Sequence, residues 1–375
     1  MKITSIEAIK VCSVSDDYEK DALAIRRFAE HPMDIILVRV ETSDGVVGWG
    51  EAFSLGCADA VATVISKVLR KYIVGEDVFS INTIWEKVYY ATFRYGRRGL
   101  VIASLSGVDI ALWDIVGKYL KVPVYKLLGG SKNRIRAYVT GGYYGKGKTI
   151  DKLVNEMLSY VKRGFKALKM KIGALTIPED LERVRAVREA IGGGVRLAVD
   201  ANNVYTFDEA LTMGKELERY DIWFFEEPIP TDYLDQSSLL TQKLNVLIAG
   251  YETAYTRYEF NEIMKKHAVD IVQVDAVWAG GISEVINIGN LAKTYGYPLI
   301  PHFSTTDIGI AANLHVASAL NVEWVEYHLK PNPLRDRLLK TPLGIDGDYL
   351  LVPQAPGLGV DVNEDVVEEL SRACK

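Results

Sequence analysis

Apolar runs that end in ionisable residues recur along most of this chain at a nearly constant interval. The residues near these ends are Lys169, Lys171, Asp200, Glu226, Glu252, Asp275, His302 and Glu326. From Asp200 onward, successive members are separated by 26, 26, 23, 27 and 24 residues. An interval of about 25 residues suits one strand and one covering helix of a parallel barrel, whose strand ends converge on a single mouth. The pattern therefore predicts a (β/α)8 barrel with its chemistry at that mouth.

The predicted barrel covers residues 131–340 and the remainder forms a capping domain. Its eight apolar runs cover 134–141, 165–172, 195–201, 222–228, 245–252, 270–276, 297–303 and 324–329, with amphipathic helical patterns between them. Residues 1–130 instead read as an α+β domain, with strands at 3–14 and 34–53 and helices at 58–74, 80–93 and 100–120. The turn Ser43-Asp44-Gly45 joins the second strand pair. Residues 15–33 are long for a connection and predict either disorder or a lid, and we expect 341–375 to pack back on the first domain.

Composition excludes several classes of partner. The 375 residues carry a net charge of −5 without a Lys/Arg cluster, which argues against a nucleic-acid or anionic membrane surface. The N-terminus lacks the apolar stretch of a signal peptide, and no run approaches the length of a membrane span. Cys12, Cys57 and Cys374 are far apart and odd in number, which argues against a disulfide framework or a thiolate metal site. We expect a cytoplasmic protein.

Asp200, Glu226 and Glu252 end three consecutive predicted strands. Three neighbouring carboxylates repel one another, so they need a cation or retained protons. Oxygen donors without His or Cys favour Mg²⁺ over Zn²⁺. The alternative is that each carboxylate only pairs with a neighbouring Lys or Arg. Glu227 directly follows Glu226, and the alternation of strand residues allows one of the two as a ligand without choosing between them.

Candidate bases lie on either side of these acids. Lys169 and Lys171 are two residues apart, so both point into the barrel, and each ammonium should depress the pKa of the other. On the opposite arc, Asp275 could hold the tautomer of His302 and raise its basicity. The structural alternatives are lysines that reach out of a strand end and a hydrogen-bonded core histidine.

A phosphate-binding loop competes with this interpretation. Gly142–Thr149 (GYYGKGKT) satisfies the pattern G-x-x-x-x-G-K-[ST] and lies between a strand and a helix. Its two tyrosines would crowd a phosphate, and a nucleotide-binding function leaves the acids and bases of the barrel without a role. The nucleotide hypothesis predicts nucleotide binding that is lost in Lys148→Ala. The barrel hypothesis predicts no nucleotide binding and near-normal activity in that variant.

The same motifs resemble the mandelate racemase subgroup of the enolase superfamily over essentially the whole chain. They are GVDIALWDIVGK and PVYKLLGG in the capping domain, then KMK, DAN, FEEP, GYE, WVEYH and PGLGV. In that family the first Glu of the FEEP-type motif is a metal ligand, which selects Glu226. The resemblance also implies substrate-binding roles for Asn202 and Glu326. Tyr251 before Glu252 departs from the family, which usually has Gly at that position.

Within the subgroup, RRFAEHPM, GGYYGKGKT, DANNVYTF, AGYETAYTR and IPHFSTTDIG are most similar to archaeal sugar-acid dehydratases of the D-arabinonate type. The resemblance implies Mg²⁺-dependent loss of water from an aldonic acid through an enediolate, giving a 2-keto-3-deoxy acid. Lys171 would take the C2 proton and His302 would protonate the leaving 3-hydroxyl. It further implies that Arg26, Arg27, His31 and a second loop at 54–57 close over the substrate. A homo-oligomer, often an octamer, is also implied.

Two further functions stay open on this scaffold. A racemase or epimerase would use both bases reversibly, and a catalytically inactive barrel would serve as a binding module. The residues do not determine which aldonate is bound, since candidate substrates differ by hydroxyl orientation or by one carbon.

Overall fold

The computed structural model describes residues 1–13, 19–27, 33–303 and 305–374. Its N-terminal part is a three-stranded antiparallel sheet in which β1 (Ile3–Cys12) pairs with β2 (Asp34–Thr42), and β2 with β3 (Val47–Ala52). Gly45 takes a positive φ of 75° in the predicted turn between β2 and β3. The short helix α1 (Ala22–Arg27) lies between β1 and β2. The predicted hairpin is therefore confirmed.

Helices follow this sheet in the chain, and all but the last, a short one, lie where the sequence predicts them. They are α2 (Ala58–Thr63), α3 (Arg70–Ile73), α4 (Ile81–Ala91), α5 (Leu100–Leu120) and α6 (Val124–Leu127). A π-helical stretch, Val64–Leu69, joins α2 to α3. The central helix α5 packs directly on the backbone of β3. A Cβ added to Gly50 would lie 2.0 Å from the carbonyl oxygen of Gly107, so only glycine permits this approach.

Helix α5 corrects the expectation that no run reaches the length of a membrane span. Its 21 residues are long and apolar enough to cross a membrane by length and composition alone. However, 89% of its most apolar window is buried inside the fold. Apolar side chains of β2, α2 and α4 surround it in a single core. The helix therefore behaves as the core helix of the capping domain, which is why it is hydrophobic on every side.

The predicted (β/α)8 barrel is confirmed, with eight parallel strands in the described part of the chain. They are β4 (Arg134–Gly141), β5 (Ala167–Lys171), β6 (Arg196–Asp200), β7 (Ile222–Glu226), β8 (Leu247–Gly250), β9 (Ile271–Val274), β10 (Leu299–Pro301) and β11 (Trp324–His328). Neighbours in sequence pair in parallel from β4 to β10, and β11 pairs with β4 and contacts β10. Tyr138, Phe224 and Trp324 fill the lower part of the barrel interior together with small residues. The ionisable residues therefore lie above a packed apolar floor.

Amphipathic helices separate the strands and form the outer layer. They are α7 (Ile150–Lys162), α8 (Ile177–Ile191), α9 (Phe207–Leu217), α10 (Leu234–Lys243), α11 (Thr256–Lys265), α12 (Gly281–Tyr295) and α13 (Asp307–Ala319). Side-chain caps begin several of them. Thr206 and Glu209, for example, form a capping box at the start of α9. These caps fix where the loops before the capped helices end.

The C-terminal segment contacts both domains. It contains α14 (Pro333–Asp336), β12 (Ile345–Asp346), β13 (Tyr349–Leu351) and α15 (Glu364–Arg372). Strand β13 pairs antiparallel with the start of β4, so this part extends the barrel sheet. The backbone N–H of Leu358 donates to Asp114 on α5 over 2.8 Å, and α15 packs against β1. The segment therefore joins the two domains instead of covering the first one alone.

The cysteine prediction is corrected by a disulfide between Cys12 and Cys374. These residues are 362 positions apart in the sequence and their Cα atoms are 5.3 Å apart in the structure. The packing of α15 on β1 brings them together, which their sequence positions could not indicate. Cys57 is a free, half-buried thiol. One covalent bond thus connects the end of the first strand to the end of the last helix.

Candidate active site

The ionisable residues meet at one end of the barrel because neighbouring strands end in register. Lys171 of β5 lies opposite Asp200 of β6, and Asp200 lies opposite Glu226 of β7. Asp275 and His302 follow directly on β9 and β10, and Glu252 comes two residues after the end of β8. Glu326 is on β11, beside the start of the ring, so the eighth strand also contributes an acid. The predicted convergence on one mouth is present.

Lys169 is fully buried at the base of this cluster. Its Nζ lies 2.5 Å from Oε1 of Glu226, 2.8 Å from Oε1 of Glu326 and 3.4 Å from Oδ2 of Asp200. Burial lowers the pKa of Lys169, but Glu226 and Glu326 outweigh it and the pKa lies well above its ordinary value. An ammonium held by three acids is a fixed positive charge. It can hold anionic oxygens but is not free to take a proton.

Lys171 lies one step nearer the opening. Its Nζ is 2.5 Å from Oδ2 of Asp200 and 5.2 Å from the ring centre of Tyr143. Burial and the neighbouring Lys169 lower the pKa of Lys171, while Asp200 raises it, and the pKa is raised overall. Lys169 therefore lowers the pKa of Lys171 as expected, but the expected net shift toward a lower pKa is wrong for this structure, because the contact with Asp200 dominates.

Asp275 and His302 make the predicted contact. Nδ1 of His302 lies 3.0 Å from Oδ2 of Asp275, and Nε2 lies 3.0 Å from Oε2 of Glu252. Asn313 donates from Nδ2 to Oδ1 of Asp275 over 2.9 Å, which holds the carboxylate in place. Burial lowers the pKa of His302, but Glu252 and Glu326 raise it well above its ordinary value. The imidazole is therefore held as a proton donor facing the acids.

Glu226 and Glu227 take different partners. Glu226 accepts hydrogen bonds from Lys169 and from Nε2 of Gln273, the latter over 2.7 Å. Glu227 has a positive φ of 39° and accepts from Nδ2 of Asn203. Its Oε1 is buried without a hydrogen-bond partner. Burial, then Glu252, Asp200 and Glu226, raise the pKa of Glu227 well above its ordinary value, so it lies among the acids of the mouth. Simple strand alternation does not anticipate this, because the left-handed backbone turns Glu227 toward the cluster.

The acids have the oxygen donors that a hard cation prefers, but their side chains are not arranged around one position. Burial and the nearby Asp200 raise the pKa of Glu226 to about 8 although Lys169 lowers it, the response expected of crowded, buried carboxylates. The buried, unpaired Oε1 of Glu227 is one more available oxygen donor. Among the described residues, no three acidic, His or Cys side chains are arranged to hold one metal ion. Asp200, Glu226 and Glu252 point at amines or imidazole instead, and their assignment as metal ligands stays a prediction.

The remaining predicted site residues have varied surroundings. Asn202 has its backbone N–H on Oδ1 of Asp200 over 2.8 Å, and its own Oδ1 is buried without a partner. Glu326 accepts from Oγ1 of Thr140 over 2.5 Å in addition to Lys169. Arg26 donates to the carbonyl of Gly173 over 3.3 Å and pairs with a carboxylate on α9, so it ties α1 to the barrel. His31 lies outside the described residues, and the substrate-binding roles of all four stay predictions.

Sequence reasoning missed two residues of this mouth. Gln273 is fully buried and donates to Glu226, and its position two residues before Asp275 in an apolar strand was a usable signal. His328 lies two residues after Glu326 and so on the same face of β11, with Nε2 3.5 Å from Oε1 of Glu326. Its ring stacks on Phe303 with centres 4.3 Å apart. Burial lowers the pKa of His328 to about 4, so this imidazole is neutral.

The fold and the mouth together define a (β/α)8 barrel with an N-terminal capping domain and with acids, two lysines and an imidazole gathered at one end. Residues 8–129 match the model described as mandelate racemase / muconate lactonizing enzyme, N-terminal domain. Residues 152–366 match the model described as enolase C-terminal domain-like. The chain therefore belongs to the mandelate racemase / muconate lactonizing enzyme family of the enolase superfamily, as the motifs predict.

Individual relatives within this family have several activities. The chain is 56% identical over 367 residues to the arabinonate dehydratase of Saccharolobus solfataricus, covering 98% of each. The crystal structure of 3,6-anhydro-D-galactonate cycloisomerase from Zobellia galactanivorans has a TM-score of 0.90 and 36% identity, with 99% of each chain covered. A mutant L-talarate/galactarate dehydratase liganded with Mg and L-glucarate has a TM-score of 0.89 and 26% identity, covering 98% of this chain and 91% of that one.

Proposed function

We propose that this chain is a hydro-lyase that removes water from C2 and C3 of an aldonic acid, with D-arabinonate as the best candidate and Mg²⁺ as cofactor. One observation carries the proposal. An amine at the end of β5 and an imidazole after β10, backed by Asp275, flank the same group of carboxylates. A proton acceptor and a proton donor on two sides of a bound acid are what elimination of water requires. The 56% identity to an arabinonate dehydratase supports the choice of substrate.

Binding of the substrate depends on charges already in the mouth. Asp200, Glu226 and Glu252 would hold Mg²⁺, which when bound stabilises the negative charge that develops on the substrate carboxylate as the C2 proton leaves. Lys169 is a second, permanent positive charge in the same volume. The unpaired Oδ1 of Asn202 is available to accept a hydrogen bond from a substrate hydroxyl. Glu326 lies between Lys169 and the imidazoles and can orient the polar end of the substrate.

Lys171 removes the C2 proton in this mechanism. Its amine must be uncharged at that moment, and the contact that holds its proton here is Asp200 at 2.5 Å. The amine can therefore lose its proton and act as a base only after Asp200 has left Lys171 and bound another partner. Lys169 and burial then lower the pKa of Lys171, and the amine becomes able to accept a proton.

His302 completes the reaction from the other side. The imidazolium gives its Nε2 proton to the 3-hydroxyl, the C3–O bond breaks and water leaves. The pair of electrons from the C2–H bond forms the C2–C3 double bond. The resulting enol becomes the 2-keto-3-deoxy acid when C3 is protonated. Asp275 at Nδ1 holds the ring so that Nε2 faces the substrate throughout.

A library of aldonates and aldarates, incubated with Mg²⁺ and assayed with semicarbazide for 2-keto acid, tests the proposal. We expect the best turnover with D-arabinonate. The two proton-transfer groups also favour one second candidate, a racemase or epimerase. In D₂O a racemase would return deuterated substrate as two epimers without 2-keto acid, and that result would replace the dehydratase assignment. No turnover of any acid sugar would favour an inactive binding module.

We further propose a homo-oligomeric, cytoplasmic enzyme, following the family resemblance. Light scattering coupled to size exclusion would measure the assembly, for which an octamer is the reference case. The disulfide bears on location, because disulfides are rare in the cytosol except in hyperthermophiles. A free-thiol assay on protein purified without reductant would show whether Cys12 and Cys374 are paired in the native source.

A further inference from the structure

The loop Gly142–Thr149, here called the glycine-lysine loop, matches a phosphate-binding pattern but serves another purpose in this fold. It follows β4, and its backbone forms a bridge to Lys20 of the capping domain. The N–H of Tyr144 donates to the carbonyl of Lys20 over 2.9 Å, and the N–H of Lys20 donates to the carbonyl of Tyr144 over 2.8 Å. A reciprocal pair of this kind is the smallest unit of a β-sheet.

The lysine of the loop holds a carboxylate of the same capping segment, residues 19–27. Nζ of Lys148 lies 2.9 Å from both carboxylate oxygens of Glu19 and 2.5 Å from Oε2 of Glu156 on α7. The side chains of Lys148 and Glu19 are 10% and 35% exposed, so water screens the contact between them in part. Lys330, beyond β11, also contacts Glu19. Glu19 is thus held between two barrel lysines.

The rest of the capping segment continues along the barrel surface. Ala22 is fully buried, and a Cβ built on Gly173 would lie 3.3 Å from its methyl group. Arg26 then donates to the carbonyl of Gly173. The segment therefore rests on the loops that follow β4 and β5, of which the first contains Tyr143 and the second begins after Lys171.

We propose that the glycine-lysine loop is the docking site of the capping segment, and that Lys148 is a positioning residue that fixes the segment through Glu19. The loop connects this dock to the reaction centre, because the Tyr143 ring lies 5.2 Å from Nζ of Lys171 and 4.6 Å from Nζ of Lys330. Loss of the dock weakens substrate binding without removing a reacting group.

The same contacts argue against nucleotide binding by this loop. A phosphate-binding lysine must offer its ammonium to the phosphates, whereas two carboxylates occupy Lys148. The hydroxyl of Tyr144 donates to Oδ1 of Asp180 over 2.6 Å, and Arg183 lies 4.0 Å from the ring centre. These contacts fill the space beside the loop with protein. They also change the expected outcome of replacing Lys148, from near-normal activity to impaired substrate binding.

Limited trypsin digestion of the full-length protein tests the dock without substrate. Cleavage after Arg26 in α1 requires the capping segment to open, so its rate reports the open population. We expect Lys148→Met and Glu19→Gln each to raise this rate about fivefold, as loss of a partly buried ion pair would. The increase in the double variant should be clearly smaller than the product of the two single increases, because both changes remove the contact between Lys148 and Glu19. Lys148→Arg should restore much of the protection.

Lys146→Met is the matched control, since Lys146 is exposed on the same loop and its removal should leave the cleavage rate unchanged. Wild-type cleavage of Lys148→Met, or independent additive effects of the two substitutions, would overturn the proposal. A kinetic measurement tests the effect of the dock on substrate binding, and this part rests on the proposed function. KM for the aldonate should rise in Glu19→Gln by about the same factor while kcat changes less than about twofold. If the chain proves not to be a dehydratase, the digestion result still decides the docking role.

Discussion

Nδ1 of His302 lies 3.0 Å from Oδ2 of Asp275, on two neighbouring strands of the barrel. The relationship fixes which ring nitrogen faces the acids of the mouth, since the other nitrogen lies 3.0 Å from Glu252. Asp275→Asn should therefore reduce kcat about a hundredfold, which is the rate contribution that a correctly positioned general acid or base usually makes. KM should change much less, because Asp275 contacts the imidazole and not the substrate. Steady-state kinetics from about pH 5 to about pH 9, a range that spans the ordinary pKa of His, would measure kcat and KM.

The same strand offers a control for this substitution. Asp270, just before β9, lies 3.2 Å from Nε2 of His267 at the opposite end of the barrel. It also accepts the backbone N–H of Ile248 over 2.8 Å. Asp270→Asn should cost some stability yet leave kcat close to wild type. Equal losses of kcat in both variants would mean that the effect is structural and that Asp275 has no specific role.

The ends of the barrel strands were predictable from three features that coincide at Asp200, Glu226 and His302. These are the interval of about 25 residues, the apolar run and the ionisable residue that ends it. The contact between Asp275 and His302 followed from adjacent strands alone. The pKa direction of Lys171 was not predictable, since it depends on Asp200 approaching to 2.5 Å and sequence spacing contains no distances. The position of Glu227 among the acids of the mouth was not predictable either, because its positive φ breaks the alternation of strand residues.

Contacts between segments that are far apart in the sequence could not be predicted either. Neither Cys12 with Cys374 nor Glu19 with Lys148 shows a local pattern, since each pair is joined only by the docking of separate elements. The glycine-lysine loop was misleading for the opposite reason. Its composition satisfies a phosphate-binding pattern, but its lysine is committed to two carboxylates in the folded chain.

Removal of the divalent cation should abolish turnover, and Mg²⁺ should restore it. We expect Glu226→Gln to weaken Mg²⁺ binding at least about tenfold, since it removes one anionic ligand of three. Glu227→Gln is the informative comparison, because Glu227 is equally buried and has an unpaired oxygen. Calorimetric titration of both variants with Mg²⁺ would measure the affinities. Loss of binding only in Glu227→Gln would assign the ligand to the second glutamate of the pair.

Reduction or removal of the disulfide should destabilise the chain. The bond closes nearly the whole polypeptide, and a loop of that length predicts a loss of up to about 5 kcal/mol in the free energy of unfolding. Cys374→Ser should show this loss in urea unfolding under oxidising conditions. Cys57→Ser, at the free thiol, is the control and should be near wild type. A Cys374→Ser variant as stable as wild type would mean that α15 holds β1 without the bond.

His315 on α13 should make stability fall on acidification. Its Nδ1 accepts the backbone N–H of Tyr125 over 3.2 Å, and Nε2 donates to the carbonyl of Leu358 over 3.0 Å, so the ring must be neutral. Burial lowers the pKa of His315 from 6.5 to about 4. Between these two values the unfolded chain binds more protons than the folded chain, so the free energy of unfolding decreases as pH falls.

The expected slope from this group is up to about 1.4 kcal/mol per pH unit between pH 6.5 and 4. Urea unfolding of wild type and His315→Asn at several pH values would measure it. The variant should be less stable than wild type at pH 7 by about 1–3 kcal/mol, because buried hydrogen bonds are lost. It should lack the part of the pH dependence that comes from protonation of His315. Parallel pH profiles for the two proteins would show that other groups cause the acid sensitivity, because only His315 differs between them. A smaller gap between the proteins at low pH is the result that the geometry requires, since protonation removes from wild type the acceptor that Tyr125 uses.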